Sequence, residues 1–297
     1  MKRILLTGKN GQLGFELQRS LSPLAEIFSV GHKDGDLSNE RTLRTLIQQI
    51  RPDIIVNAAA YTAVDKAESE PEIANAVNHH ALKIIGEEAH KLSTPVIHYS
   101  TDYVFDGTKK TPYVETDAAD PQSVYGQTKL AGELALAKAC SKHIIFRTSW
   151  VLGTYGNNFA KTMLRLATTK ENLNVVADQF GAPTTSALLA DTSAHVVARM
   201  LRADAAEVPF GVYHLSASGR TNWHEYAKYV IAIAHEYGKS LTLPTENIKA
   251  ITTAEYPTPA KRPKNSSMNT DKFQNTFGLI LPNWQIGVRH VLQQVLS

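Results

Sequence analysis

Across 297 residues there is one cysteine, Cys140, so no internal disulfide can form and stability must come from a packed core. A buried, inert thiol in a reducing compartment is the expectation for it. Charge of one sign is scarce too. Lys and Arg number 31 against 28 Asp and Glu, and no dense basic run is interleaved with aromatics, which argues against a nucleic-acid partner and leaves a small anionic molecule as the better fit. No apolar run approaches the roughly 20 residues that span a bilayer, and Met1 leads almost directly into a strand without the charged-then-apolar start of a signal peptide. The expectation is a cytoplasmic protein with no membrane segment, in which the Asn265-Ser266-Ser267 sequon is a chance match. The 11 histidines are scattered, and His79 and His80 are read as pointing to different sides of a helix. No His/Asp/Glu set has metal-ligand spacing, so no protein-built metal site is expected. Internal repeats and low-complexity runs are absent as well.

What is present is an ordinary core-forming composition, 43% hydrophobic and 20% charged, and a regular alternation of patterns. Short apolar runs at Ile4 to Thr7, Ile27 to Gly31, Asp53 to Ala58, Pro95 to Ser100 and Ile144 to Thr148 read as strands. Between them, Leu43-Leu46-Ile47-Ile50 and Ala74-Val77-Ala81-Ile84-Ile85 repeat at helical spacing. Such alternation predicts an α/β fold of Rossmann type: a doubly wound parallel sheet with ligands at the carboxyl ends of its strands. After about Thr148 the loops lengthen, proline is more frequent, and Tyr256 to Asn265 forms an irregular basic segment. The expected division is a dinucleotide-binding domain over residues 1–150 and a smaller C-terminal substrate-binding lobe over 151–297, with some segments of the latter returning to the sheet.

Gly8-Lys9-Asn10-Gly11-Gln12-Leu13-Gly14 follows the first strand and opens a helical pattern at Leu13, Leu17 and Leu21. Strand, glycine turn and helix N-terminus together suit a pyrophosphate, because glycine permits close backbone approach and the helix end favours negative charge. The Gly-x-x-Gly-x-x-Gly spacing differs from the commoner Gly-x-Gly-x-x-Gly, and a glycine-rich turn alone would be weak evidence. A second signal is Tyr125-Gly126-Gln127-Thr128-Lys129, where a phenol and an ammonium four residues apart share one helix face. A fixed positive charge nearby would favour the phenolate, so Tyr125 is read as an acid whose proton Lys129 makes easier to give. Alone, such a pair is equally a solvated helix face.

Further motifs are Arg51-Pro52-Asp53, Asn57-Ala58-Ala59-Ala60-Tyr61-Thr62-Ala63-Val64-Asp65, Ser100-Thr101-Asp102-Tyr103-Val104-Phe105, Arg147-Thr148-Ser149-Trp150, Asn157-Asn158-Phe159, Asp178-Gln179 with Gly181-Ala182-Pro183-Thr184, and Arg262-Pro263-Lys264-Asn265-Ser266. On these and the two signals above, nearly end to end, the chain resembles the extended short-chain dehydrogenase/reductases, and within them the dTDP-4-dehydrorhamnose reductase family. The resemblance implies hydride transfer from NAD(P)H to the C4 ketone of a dTDP-linked 4-keto-6-deoxy sugar, giving dTDP-L-rhamnose, with Tyr125 as acid and Lys129 tuning it and holding the nicotinamide ribose. Thr101 would orient the C4 oxygen where many relatives have serine, although a strand-end turn residue is the plainer alternative. It further implies Gly8, Gly11, Gln12, Leu13 and Gly14 along the pyrophosphate, Asp36 and Leu37 near the adenine, and Ala59, Ala60 and Thr62 along the far side of the cofactor. Val64, Asp102, Tyr103, Trp150, Asn158, Arg262 and Lys264 would face the dTDP-sugar. Against this, Val64 could be packing, and Arg262 and Lys264 could be charges that merely meet solvent.

Two departures stand out. Where an NAD enzyme carries an acid at the end of the second strand, this chain has Val30-Gly31-His32-Lys33. His32 and Lys33 would accept a 2′-phosphate, so NADPH is the expected cofactor, with NADH the alternative. Some relatives pair as homodimers around Mg2+ held by glutamates near the C-terminus, whereas here Gln285 follows Trp284 where an acid would be expected. A homodimer stays open on the resemblance, and a role for Mg2+ is in doubt. Two other functions fit the same motifs: another sugar-nucleotide reductase or epimerase, and a non-catalytic regulatory subunit resembling the methionine adenosyltransferase β-subunit.

Overall fold

β1 (Arg3–Thr7) is four buried residues behind a half-buried arginine, the short apolar run that a sheet covered on both faces requires. The computed structural model describes residues 1–202 and 207–297. After β1 come α1 (Gln12–Leu21), β2 (Glu26–Val30), α2 (Glu40–Ile50), β3 (Ile54–Asn57), α3 (Val64–Ala67), α4 (Pro71–Asn75), α5 (Ala81–Leu92), β4 (Val96–Thr101), α6 (Val124–Ala139) and β5 (His143–Thr148). Local chemistry sets several boundaries. Asn39 caps α2 by accepting from Thr42 N–H at 3.0 Å, and Arg51, left-handed at φ 48°, closes it before Pro52. Asp53 then ties the start of β3 to β1, accepting from Arg3 N–H at 2.8 Å and from the Lys2 ammonium at 3.0 Å.

The second half continues with β6 (Val151–Leu152), α7 (Phe159–Ala167), β7 (Leu173–Val176), β8 (Phe180–Gly181), β9 (Thr184–Thr185), α8 (Ser186–Arg202), β10 (Gly211–His214), β11 (Thr221–Asn222), α9 (Trp223–Glu236), β12 (Ile248–Ile251), α10 (Asp271–Phe277) and α11 (Trp284–Leu296). Six strands form one parallel sheet in the order β10-β5-β4-β3-β1-β2. The chain reverses direction across the sheet between β1 and β3, which opens a crevice at their carboxyl ends.

Strand alternation assigns the two faces. Ile4, Leu6, Ile54, Val56, Ile97, Ile144 and Phe146 pack against Leu17 and Leu21 of α1, Leu189 and Val196 of α8, and Phe273 of α10. Leu5, Ile55, Val96 and Ile145 pack against Leu43 and Ile47 of α2, Ile85 of α5 and Leu136 of α6. A third core joins α7, α9 and α11 through Met163, Tyr226, Val230, Trp284 and Val288. Segments after residue 150 thus divide: α8, β10 and α10 lie on the large sheet, and the rest builds around the third core.

One element departs from its periodicity. The pattern from Ala74 to Ile85 predicts a continuous α-helix, but residues Ala76–His80 form a π-helical turn between α4 and α5. The wider turn carries Asn78 inward, where it accepts from Tyr61 N–H at 2.9 Å and donates to Tyr61 C=O at 3.1 Å and to Thr128 Oγ1 at 3.2 Å. The His79 and His80 rings, expected on different sides, stack instead at 4.7 Å. Cys140 is 2% exposed, and burial raises its thiol. Asn265 is buried too, donating to Lys109 C=O at 2.8 Å and Thr111 C=O at 3.0 Å. Among the described residues no helix is long and apolar enough to cross a membrane.

Candidate active site

The turn after β1 is shaped by contacts that tolerate no side chain. Gly8 is left-handed at φ 81°, and its N–H joins that of Lys9 on Val30 C=O. A Cβ on Gly14 would stand 2.0 Å from Gly8 O, so the helix can lie against the turn only with glycine there. Gly11 is the N-cap of α1 and offers no side chain to its first N–H groups, which leaves them open toward the crevice.

On the other side of the crevice, β4 runs into a short 3-10 turn, Asp102–Val104. Thr101 Oγ1 donates to Asp102 Oδ1 at 3.1 Å and accepts from Tyr103 N–H at 3.2 Å. Ser123 caps α6 by accepting from Gly126 N–H at 3.2 Å. A Cβ on Gly126 would stand 2.3 Å from Tyr103 O, and one on Gly132 2.0 Å from Asn78 O, so glycine seats α6 close to both neighbours. That close seating sets Tyr125 edge-on to Tyr103, with ring centroids 5.5 Å apart.

These elements enclose a cleft of about 690 Å³. Of the residues expected at a site, Gly8, Gly11, Gln12, Leu13, His32, Asp36, Leu37, Ala59, Ala60, Thr62, Val64, Thr101, Asp102, Tyr103, Tyr125, Lys129 and Trp150 line it together. Gly14, Lys33, Asn158, Arg262 and Lys264 do not. Lys33 and Lys264 are exposed. Asn158 is spent elsewhere, capping α7 through Lys161 N–H at 3.1 Å and donating to Gln12 Oε1 at 3.0 Å and Gly153 C=O at 2.8 Å. Arg262 pairs with Asp65 at 2.6 Å and reaches Tyr103 Oη at 3.4 Å. Trp150 has φ 48° and stacks on Trp223 at 3.7 Å. Its wall is therefore shared between the cleft and the third core.

Electrostatics differ from the expectation at Tyr125. Burial pushes the phenol up, and the Thr101 hydroxyl offsets only part of that shift. Lys129 does not bond the phenol. Its Nζ donates to Tyr99 C=O at 2.7 Å and lies 3.1 Å from His98 Nε2. Burial takes its ammonium down to about 7, with Glu133 pulling the other way. The reason is position: at 1% exposure Lys129 is cut off from solvent, and desolvation outweighs the favour that one charge could do a neighbour. Asp102 is likewise raised by burial, to about 6, against the opposing Ser266 and Thr101 hydroxyls.

Ser100, Thr148 and Ser149 line the same cleft and were not anticipated there. Their hydroxyls, with Asp102 Oδ2, are buried and without a hydrogen-bond partner among the described residues. The signal was available, since hydroxyl side chains at the ends of two apolar strands have no packing reason to be there. Among the described residues no group of three His, Cys, Asp or Glu could hold a metal ion.

A protein-family model described as the RmlD substrate binding domain matches residues 1–297. The chain is 53% identical over 299 residues to the dTDP-4-dehydrorhamnose reductase of Escherichia coli, a match covering 99% of this chain and 98% of that protein. Among solved structures it is similar to a dTDP-4-dehydrorhamnose reductase from Clostridium acetobutylicum, with TM-score 0.91 and 33% identity over 99% of this chain and 100% of that one. The same enzyme from Bacillus anthracis, solved in complex with NADP, gives TM-score 0.89 and 35% identity over 99% and 100%. A full-length match of sequence and fold, on a sheet whose crevice joins a glycine turn to a buried tyrosine and lysine, shows that this chain belongs to the dTDP-4-dehydrorhamnose reductase family.

Proposed function

We propose that this chain reduces the C4 ketone of dTDP-4-dehydro-L-rhamnose with NADPH, giving dTDP-L-rhamnose, and that Tyr125 is the acid. The observation that carries the reading is the meeting of Thr101, Tyr125 and Lys129 with the Gly8–Gly14 turn in one cleft. The residues present fit a dinucleotide. A Cβ on Gly8 would stand 2.7 Å from Ala59 N, and the first N–H groups of α1 are uncapped, so the turn is a cradle for a flat or anionic group and for little else. When bound, the nicotinamide supplies the hydride.

The chain's own residues handle the proton. Burial keeps Tyr125 neutral at ordinary pH, which is the form that can donate to an oxygen gaining negative charge. The ketone thus takes a hydride at C4 and a proton at O4, and becomes an alcohol in one step. Thr101 Oγ1, held between Asp102 Oδ1 and Tyr103 N–H, is a fixed hydroxyl beside that oxygen. Asp102 Oδ2 and the Ser100, Thr148 and Ser149 hydroxyls are the buried polar atoms left to a polar ligand, and a hydroxylated sugar or an amide satisfies them. Residues 151–297 serve mainly as the substrate lobe. Trp150 forms an apolar wall, and Arg262, held by Asp65 and reaching Tyr103 of the cleft, is the cation offered to a diphosphate.

His32 at the rim, with Lys33 beside it, suits the 2′-phosphate of NADPH. The B. anthracis relative in complex with NADP supports that choice. The direct test mixes purified protein, NADPH and dTDP-4-dehydro-L-rhamnose and identifies the product by NMR. dTDP-L-rhamnose with stoichiometric NADPH oxidation is expected. A C4 epimer, or conversion without NADPH consumption, would overturn the reading.

A further inference from the structure

Three polar residues interrupt the apolar strands of the large sheet side by side. Thr7 lies opposite Asn57 in the β1–β3 register, and Asn57 opposite His98 in the β3–β4 register. All three are 0% exposed. Their side chains form one line: Thr7 Oγ1 donates to Asn57 Oδ1, Asn57 Nδ2 donates to His98 Nδ1 at 3.0 Å, and His98 Nε2 stands 3.1 Å from Lys129 Nζ. Polar groups at this depth are costly unless every donor meets an acceptor, so the line can be read as a bookkeeping of hydrogens.

A neutral imidazole carries one ring hydrogen. With an Asn57 N–H aimed at Nδ1, that nitrogen accepts, so the hydrogen sits on Nε2 and points at Lys129 Nζ. An ammonium has no lone pair to receive it. Lys129 in this arrangement is an uncharged amine, which still donates to Tyr99 C=O at 2.7 Å. A second arrangement satisfies the ring and the amine as well, and leaves only the Thr7 hydroxyl hydrogen without an acceptor in the line. The Asn57 amide turns end for end, Nδ1–H donates to Asn57 Oδ1, Asn57 Nδ2 donates to Thr7 Oγ1, and Nε2 accepts from a charged Lys129. It holds one more proton, taken from solvent: Nε2 hands its hydrogen to Nζ and Nδ1 receives the new one. The ring is neutral in both.

We infer that His98 is a positioning residue that sets the charge of Lys129 through its ring tautomer, with Asn57 and Thr7 completing the switch. The inference rests on the reading of Lys129 as part of the reductase site. Burial supports it, taking the Lys129 ammonium down to about 7, while burial and the lysine charge hold His98 well below its ordinary range. The titratable groups around Lys129 are His98 and Tyr99 on β4, and Tyr125 and Glu133 on α6 itself. Other elements packed on α6 bring Arg147, which binds Glu133 at 2.6 Å, Asp102 at the end of β4, and His79 and His80 of the π-turn. None of these interposes between His98 and Lys129.

The test labels the histidines of the full-length protein with 15N and follows the His98 ring by two-bond 15N–1H correlation from about pH 5.5 to about 9.5, a range that brackets a midpoint near 7. His98→Gln assigns the signal. The expected result is Nδ1–H at low pH and Nε2–H at high pH, and a single tautomer at every pH in Lys129→Met. One tautomer throughout in the unmodified protein overturns the inference. Thr7→Val, nearly isosteric, removes the hydroxyl that completes either arrangement, and should move the midpoint in the pH profile of kcat by about half a unit or more with KM for NADPH within about twofold. An unmoved profile also overturns it. Full turnover in Lys129→Met with the tautomer switch intact in the unmodified protein would strike the reductase-site reading instead, which separates the two failures.

Discussion

Asp102 and Glu88 are both carboxylates sealed from solvent, 3% and 1% exposed, yet their surroundings push them in opposite directions. Burial would raise Glu88, but Lys91 at 2.7 Å, Gln48 at 2.9 Å and Arg44 at 2.7 Å outweigh it and bring the group down to about 2. Among the described residues no cation stands against Asp102. Burial wins there, the group rises to about 6, and one oxygen has no partner. The first carboxylate joins α2 to α5 and spends all its bonding capacity on the fold. The second keeps part of that capacity in reserve at the mouth of a strand, where a ligand can use it.

The sharpest way to set function against fold is to remove one oxygen from the cleft. Tyr125→Phe should lower kcat by about 10²–10⁴-fold, the usual worth of general acid catalysis, with the NADPH dissociation constant nearly unchanged. Near-wild-type turnover would dismiss Tyr125 as the acid. Asp102→Asn should stabilise the protein at neutral pH by up to about 3 kcal/mol, the value of a rise from 3.8 to about 6. The sign follows from linkage: a raised folded pKa gives stability that is full below 3.8 and lost as pH rises through about 6, so the gain should vanish below about pH 4. Urea melts at both pH values check this, and a mutant less stable at pH 7 refutes the unpaired-carboxylate picture. Turnover should fall in the same variant.

Glu88→Ala is the counterpart. It should cost about 1–3 kcal/mol, because Arg44 retains Glu40 and Glu87, and it should leave kcat per folded molecule unchanged. In the unmodified protein the Glu88 contribution is present above 4.5 and lost as pH falls toward about 2. A loss of kcat in Glu88→Ala would mean the two regions are coupled. Trp150→Ala should raise KM for the keto-sugar nucleotide by roughly tenfold, in line with about 1–3 kcal/mol of lost aromatic contact. Because Trp223 loses the face it stacks on, a fall in Tm should accompany it. A change in cofactor affinity alone would place Trp150 in the wrong pocket. The smallest effect is expected at Lys33→Asp, where an exposed side chain should change the NADPH/NADH ratio of kcat/KM by about threefold. An unchanged ratio would discard the second strand's end as the selector.

Much of this was legible in one dimension because it depends on local rules. Strands β1 to β5 begin and end within about a residue of their apolar runs, since a strand covered on both faces is mostly apolar. The glycine turn was legible because only glycine fits against Gly8 and Ala59. The π-turn was not: Ala74 to Ile85 keeps helical spacing on either side of it, and the reason for the extra residue is Asn78 reaching Tyr61, 17 positions away. The line through Thr7, Asn57 and His98 was half legible. Each is a polar residue in an apolar strand, but their adjacency follows from strand register.

Sequence by itself determined the classes of element, the cradle after β1 and the chemical types gathered near Thr101 and Tyr125, because propensity, periodicity and glycine's lack of a side chain act over a few residues. Only the tertiary structure decided which charges meet. A phenol and an ammonium four residues apart on α6 suggest a pair, yet Lys129 turns to His98 and Tyr99 on β4, and burial governs Tyr125. Desolvation depends on everything packed around a group, and hydrogen bonds between strands depend on register. Neither quantity exists until the chain has folded.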